Sequence, residues 1–353
     1  MKKVDPKGKL SWLTYLSDYG GVGYIRSIVP NMLMGCWRHQ QMSFEPTQLT
    51  SFIPNPEFYR NFAFVKFQRS ATKQQLDLIK YIKSKICKQT GTSIIYEVDD
   101  MLFNIPESNF ASKYYQQNKP YIEEMLYLVD GITVSTAQLK KEYKKYNKNI
   151  SIVKNRLAKC LWGDIKEYQY QQKDKLRIVY PGSQNHFNPK AEGGDIQQDL
   201  LKYITDTKKD KFEWVFIGGI PYELKDDPDI TYINWIDYMS YPSVLKNINA
   251  DIGIAPLEIN DFNRSKSNIK MQEYTVSGIP AVYTDIEPYK QASLRSKTET
   301  DMINNIEWLS EDSNRRYETW KKDCEYVKKG LFFENNRLNW INEHMKLFDR
   351  MIK

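Results

Sequence analysis

The sequence predicts an α/β protein of two doubly wound, Rossmann-like domains facing a cleft, and three observations carry that expectation. At 353 residues the chain exceeds what one hydrophobic core usually supports. Short β-branched and aromatic runs alternate with amphipathic stretches, as βαβ units around a parallel sheet require. The alternation restarts after a polar, Gln- and Lys-rich segment, Glu167 to Lys175, where the linker is placed. The expected domains are residues 1–170 and 171–334, with a C-terminal helix, 335–353, crossing back onto the first.

In the first half, strands are expected at Leu10 to Leu16, Phe62 to Phe67, Ser93 to Val98, Gly131 to Val134 and Ile150 to Val153. Leu76, Ile79, Ile82 and Ile86 recur at helical spacing, predicting a helix over 71–88. Further helices are expected around 119–129 and, capped by Ser135-Thr136, over 136–146. In the second half, strands are expected at Leu176 to Tyr180, Phe212 to Ile217, Ile230 to Trp235, Ala250 to Ala255 and Ala281 to Thr284.

Composition narrows the chemistry. Apolar residues make up 41% and charged residues 27%, which marks a folded globular chain. No apolar run approaches the ~20 residues of a membrane span, so no stable membrane insertion is expected. Met1-Lys2-Lys3-Val4-Asp5 leads into polar sequence, predicting no secretory leader and a cytoplasmic protein. Cys36, Cys87, Cys160 and Cys324 form no CxxC pair, and His39, His186 and His344 are scattered, so neither a disulfide framework nor a zinc site is expected and any metal would have to be held by oxygen ligands. The net charge of +7 suits a polyanionic partner such as DNA, or equally reflects a Lys-rich codon bias.

Four segments carry candidate chemistry at strand ends, where open α/β sheets bind ligands. Gly20-Gly21-Val22-Gly23 follows the first strand; Gly21 and Gly23 let backbone approach a ligand, and Arg26 offers a phosphate partner. Its GxG lacks the third glycine of a dinucleotide fingerprint. Glu97-Val98-Asp99-Asp100 ends another strand, aiming carboxylates at the cleft to orient sugar hydroxyls, stabilise positive charge or hold a divalent cation. Gly182-Ser183-Gln184-Asn185-His186 offers backbone N–H groups and side chains to a diphosphate. In the richest segment, Ala255 to Pro280, Lys266, Lys270 and Glu273 lie 4 and 3 apart, so a helix places them on one face. Two ammonium groups there neutralise a diphosphate, and the carboxylate accepts both hydroxyls of a ribose.

This last segment, with Glu273 before Gly278-Ile279-Pro280, resembles the nucleotide-sugar site of the retaining "group 1" glycosyltransferases of GT-B fold. The family's first acidic position falls on Ser265, a departure. With Gly-Val-Gly-Tyr-x-Arg near the start, Tyr-Glu-Val-Asp-Asp upstream and Ser-Lys-Ser-x-x-Lys before the Glu, the chain is similar to a subgroup of phage genomes and O-antigen clusters. The resemblance implies a metal-independent hexosyltransferase with no resident cofactor, its co-substrate a nucleotide sugar such as UDP-glucose. It implies Asp99 and Asp100 as the catalytic loop facing the sugar. Gly21, Gly23, Arg26, Gly182, Ser183, His186, Lys266, Lys270, Glu273 and Tyr274 become the donor-binding set.

The acceptor expected first is a 5-hydroxymethylpyrimidine in duplex DNA, with Arg26, Arg38, Arg60, Lys66 and Arg69 as candidate phosphate contacts. A cell-surface glycan, a non-catalytic nucleotide- or nucleic-acid-binding role, and a sugar epimerase of similar fold stay open beside it.

Overall fold

The computed structural model describes residues 12–34, 41–43, 56–59, 62–187 and 194–351. The chain forms two compact units. Unit 1 runs over Met1–Phe103, Lys113–Asn155 and Glu334–Lys353, and unit 2 over Asn104–Ser112 and Arg156–Phe333.

The strands of unit 1 are β1 (Trp12–Leu16), β2 (Gln41–Ser43), β3 (Phe64–Gln68), β4 (Ser93–Val98), β5 (Gly131–Val134) and β6 (Ile150–Ile152). They pair in parallel in the order β2-β1-β3-β4-β5-β6. Every residue of β1, β3 and β5 is buried, because helices cover both faces and an apolar run is then the stable sequence. The helix expected over 71–88 begins at Lys73, behind a capping box in which Thr72 and Gln75 satisfy each other's amides. It passes through a π-type segment, Ile82–Cys87, and ends where Gly91 turns left-handed at φ 67°.

The C-terminal helix, Arg337–Met351, completes this core. Trp340 packs 5.1 Å from Trp12, and the buried His344 stacks 5.8 Å from Phe64. Asn149 donates to the Leu347 carbonyl at 3.1 Å, tying the helix to the sheet. Burial holds the His344 imidazole well below its ordinary pKa, so it behaves as a neutral core ring.

Unit 2 contains β7 (Leu176–Gly182), β8 (Phe212–Gly218), β9 (Ile230–Ile233), β10 (Ile252–Ala255), β11 (Ala281–Thr284) and β12 (Arg295–Ser296). Their order is β12-β11-β10-β7-β8-β9, again parallel throughout. Counted along the chain this is the 3-2-1-4-5-6 order of dinucleotide-binding folds, and its direction reverses between β7 and β10. In such sheets the crevice outside the strand ends at that reversal is left uncovered by crossover helices, which is where a ligand fits.

Candidate functional site

The loops leaving β7 and β10 meet at the reversal point of unit 2. β7 ends in Gly182-Ser183 and a single helical turn, Gln184–His186. Gly219, after β8, lies so close to this loop that a Cβ there would sit 2.7 Å from the Gln184 amide nitrogen. Only glycine at 219 lets the two strand ends approach this way.

A His–Asp pair joins the loops. Asp195 is 8% exposed, and its Oδ2 accepts from His186 Nδ1. Its Oδ1 accepts from the Glu258 amide at 2.8 Å and from Asn263 Nδ2 at 3.3 Å, both after β10. Burial pushes the carboxyl up, but the His186 hydrogen bond, the charges of His186 and Lys266 and the Glu258 amide outweigh it, leaving Asp195 below its usual range. An ionised carboxylate only accepts, so Nδ1 carries the proton and Nε2 points away as the open ring position. Burial, then Lys266, holds the imidazole below its ordinary value against the pull of Asp195. Asp195 went unread in the sequence; the signal available was an Asp after Gly193-Gly194, close behind a strand-end histidine.

Lys266 and Lys270 follow on the β10 side. The sequence spacing suggested one helical face, but the helix is broken: Lys266 lies between the helices Asp261–Arg264 and Ile269–Val276. Asn268, with ψ 30°, is outside helical geometry, so Lys266 projects from a turn while Lys270 sits in the first helical turn. The Lys266 ammonium lies over the Phe262 ring, 5.1 Å from its centroid. Lys270 donates to Glu273 Oε2 at 3.0 Å, and the Tyr241 hydroxyl donates to the same oxygen at 3.1 Å. Glu273 is 6% exposed, and among the described residues its Oε1 has no hydrogen-bond partner.

Two residues of the sequence-derived pattern are buried. Tyr274 is fully buried and donates to the Ile254 carbonyl at 2.5 Å and the Val179 carbonyl at 3.3 Å. Ser265, at the family's first acidic position, is also fully buried and donates to the Asp261 carbonyl at 3.0 Å.

In unit 1 the expected residues are drawn inward. Gly21 and Gly23 open a helical segment against Asp18, whose Oδ1 accepts from Gly20 N at 2.7 Å. A Cβ on Gly23 would lie 2.0 Å from the Asp18 carbonyl oxygen, so glycine is required there by packing alone. Arg26, expected to meet a phosphate, is 3% exposed; it pairs with Glu97 at 2.7 Å, reaches Asn155 Oδ1 at 2.8 Å and donates to the Val153 carbonyl. Glu97 accordingly faces the interior, where Thr133 also donates to it. Asp99 and Asp100 share Arg69, at 2.8 and 3.2 Å. Arg69 sits at φ 46° directly after β3, a left-handed conformation unusual for a non-glycine residue.

Lys66 is fully buried, with its ammonium 3.3 Å from the Arg26 carbonyl. Burial lowers its pKa to about 8. Arg26 and Lys66 are thus buried within unit 1 and Arg69, 16% exposed, is paired with Asp99 and Asp100, while Arg38, Arg60, Cys36 and His39 lie outside the described residues.

Among the described residues, no helix is long and apolar enough to cross a membrane, and no group of three or more His, Cys, Asp or Glu side chains is placed to hold a metal ion. No protein-family model matches the chain, and no curated protein matches it in sequence. Solved structures do. The UDP-GlcNAc 2-epimerase of Neisseria meningitidis, bound to UDP-GlcNAc, superposes with a TM-score of 0.54 at 10% identity, over 96% of this chain and 100% of that one. A glycosyltransferase of kitacinnamycin matches with a TM-score of 0.46 at 10% identity, over 98% of this chain and 100% of the other. The fold is α/β, two Rossmann-like domains of the GT-B type.

Proposed function

We propose that unit 2 binds a nucleotide sugar and that the chain transfers the sugar to an acceptor hydroxyl. The observation that carries this reading is the convergence of an open-Nε2 His186, Lys266, Lys270 and a half-engaged Glu273 at the reversal point of a dinucleotide-type sheet. The Gly182-Ser183 loop and both lysines take the diphosphate, a site preorganised where negative charge grows as the bond to the sugar breaks. Glu273 takes the ribose, with Oε2 fixed by Lys270 and Tyr241 and Oε1 presented to the hydroxyls. The anomeric C–O bond breaks with its electron pair left on the diphosphate. The acceptor oxygen bonds to the anomeric carbon, and its proton passes to the departing phosphate on the same face, giving retention. In unit 1 the Arg69-clamped Asp99–Asp100 pair is the proposed acceptor-side element.

A donor of the UDP-glucose kind is the one to offer first. For the acceptor, the net charge of +7 supports a hydroxymethylated pyrimidine in phage DNA. The burial of Arg26 and Lys66 and the pairing of Arg69 with Asp99 and Asp100 support a neutral saccharide hydroxyl, as in O-antigen synthesis. A second reading, epimerisation of the nucleotide sugar, is supported by the fold shared with the UDP-GlcNAc 2-epimerase.

The test is transfer of label from a panel of nucleotide sugars to duplex DNA containing 5-hydroxymethylcytosine, 5-hydroxymethyluracil or cytosine, beside a saccharide panel. Labelled acceptor, lost in Lys266→Ala and Glu273→Ala, supports the transferase. A DNA product should also fall steeply with added salt, a saccharide product hardly at all. Release of free nucleotide and a changed sugar without any acceptor moves the reading to the epimerase. Failure of every donor to bind sinks both.

A further inference from the structure

We propose that nucleotide-sugar binding loads a proton onto His186, so that its imidazolium joins Lys266 and Lys270 as a third cation on the diphosphate, with Asp195 as its positioning residue. This rests on the donor-binding reading of unit 2 and adds to it a residue role and a pH dependence.

The geometry comes first. Asp195 cannot turn away from the ring: its Oδ1 is held by the Glu258 amide and Asn263, and its own amide donates to the His186 carbonyl at 3.1 Å. Nδ1 is therefore a fixed donor, and among the described residues Nε2 has no protein partner. The side chain is 23% exposed, so a ligand can reach it.

The groups that set its charge are few. Asp195 comes from the segment ahead of the helix Gln198–Thr207, and Lys266 and Lys270 from the segment after β10. From β7, Tyr180 presents its ring edge-on at 6.3 Å and stays neutral, because burial raises its pKa well above the ordinary value. In the free protein burial and the two ammonium groups hold the imidazole neutral against Asp195. A diphosphate diester brings about two negative charges to those ammonium groups and reverses the balance. A neutral Nε2 would also set a lone pair against a phosphate oxygen, two acceptors with nothing to share. A protonated Nε2 donates a charge-assisted hydrogen bond instead.

The experiment is calorimetric titration of the full chain in buffers of different ionisation enthalpy, near neutral pH, with UDP-glucose and then GDP-mannose. Neither ligand's diphosphate diester titrates near neutrality, so any proton taken up is the protein's. The expected result is uptake of a fraction of a proton per ligand bound, with affinity falling as pH rises between about 6 and 8. His186→Gln should abolish the uptake, flatten that profile and weaken binding by about tenfold near pH 6. Asp195→Asn keeps the shape but withdraws the charge, so it should shift the profile to lower pH. If Asp195→Asn does not fold, His186→Gln alone decides.

Binding without proton uptake overturns the inference and leaves the donor site intact. So does uptake that persists unchanged in His186→Gln. Binding of no nucleotide sugar overturns the donor-site reading and this inference with it.

Discussion

The guanidinium of Arg26 and the carboxylate of Glu97 meet at 2.7 Å inside unit 1, each side chain about 1% exposed. Removing one member of a buried pair strands the other charge in a low-dielectric interior. Arg26→Met is therefore expected to destabilise the protein by about 3–5 kcal/mol in urea unfolding. Adding Glu97→Gln should recover only part of that loss: it removes the stranded carboxylate, and with it the charge that offsets the buried Lys66 ammonium. Donor affinity measured on folded Arg26→Met should match wild type. A selective loss of donor binding with stability intact would restore Arg26 to a phosphate-contacting role.

Tyr274 makes the matching case in unit 2. Its hydroxyl spans the strands flanking the reversal point, bonding the Ile254 carbonyl of β10 and the Val179 carbonyl of β7. Tyr274→Phe keeps the ring packed beneath Gly253 and deletes only those bonds. The expected effect is a loss of about 1 kcal/mol in stability, with nucleotide-sugar affinity within about twofold of wild type. Glu273, its neighbour in sequence, should behave in the opposite way, which makes the pair a direct contrast between brace and ligand contact.

Central strands were readable from sequence because both their faces are buried. Gly131–Val134 and Ala281–Thr284 coincide with their apolar runs for that reason. The edge strands Gln41–Ser43 and Arg295–Ser296 are short and polar, so they carry no periodic signal. The site was legible as a set of segments, and its pairings were not. Arg26 and Glu97 are 71 residues apart, and the Asp195 ties to Glu258 and Asn263 span 63 and 68. Such partners are fixed by sheet order, which local spacing does not encode. Spacing also misplaced Lys266: a regular four-and-three pattern fits a helix, yet the turn at Asn268 interrupts it.

Asp323 provides a stability switch that depends on pH and lies outside the proposed donor-binding residues. It is 2% exposed and accepts from the Ser293 amide at 2.7 Å. Burial raises its pKa from 3.8 to about 6 despite this bond. Between those values the folded state holds a proton that the unfolded chain has released, so stability falls as pH rises through the window. Above it the full cost, on the order of 3 kcal/mol, is present. Asp323→Asn keeps an oxygen for the Ser293 amide and never ionises. Its urea midpoint should equal or fall below wild type near pH 4, overtake it as pH rises, and hold a constant advantage above about 6. Parallel curves for the two proteins across that range would mean that Asp323 stays ionised in the fold, with the Ser293 hydrogen bond outweighing burial.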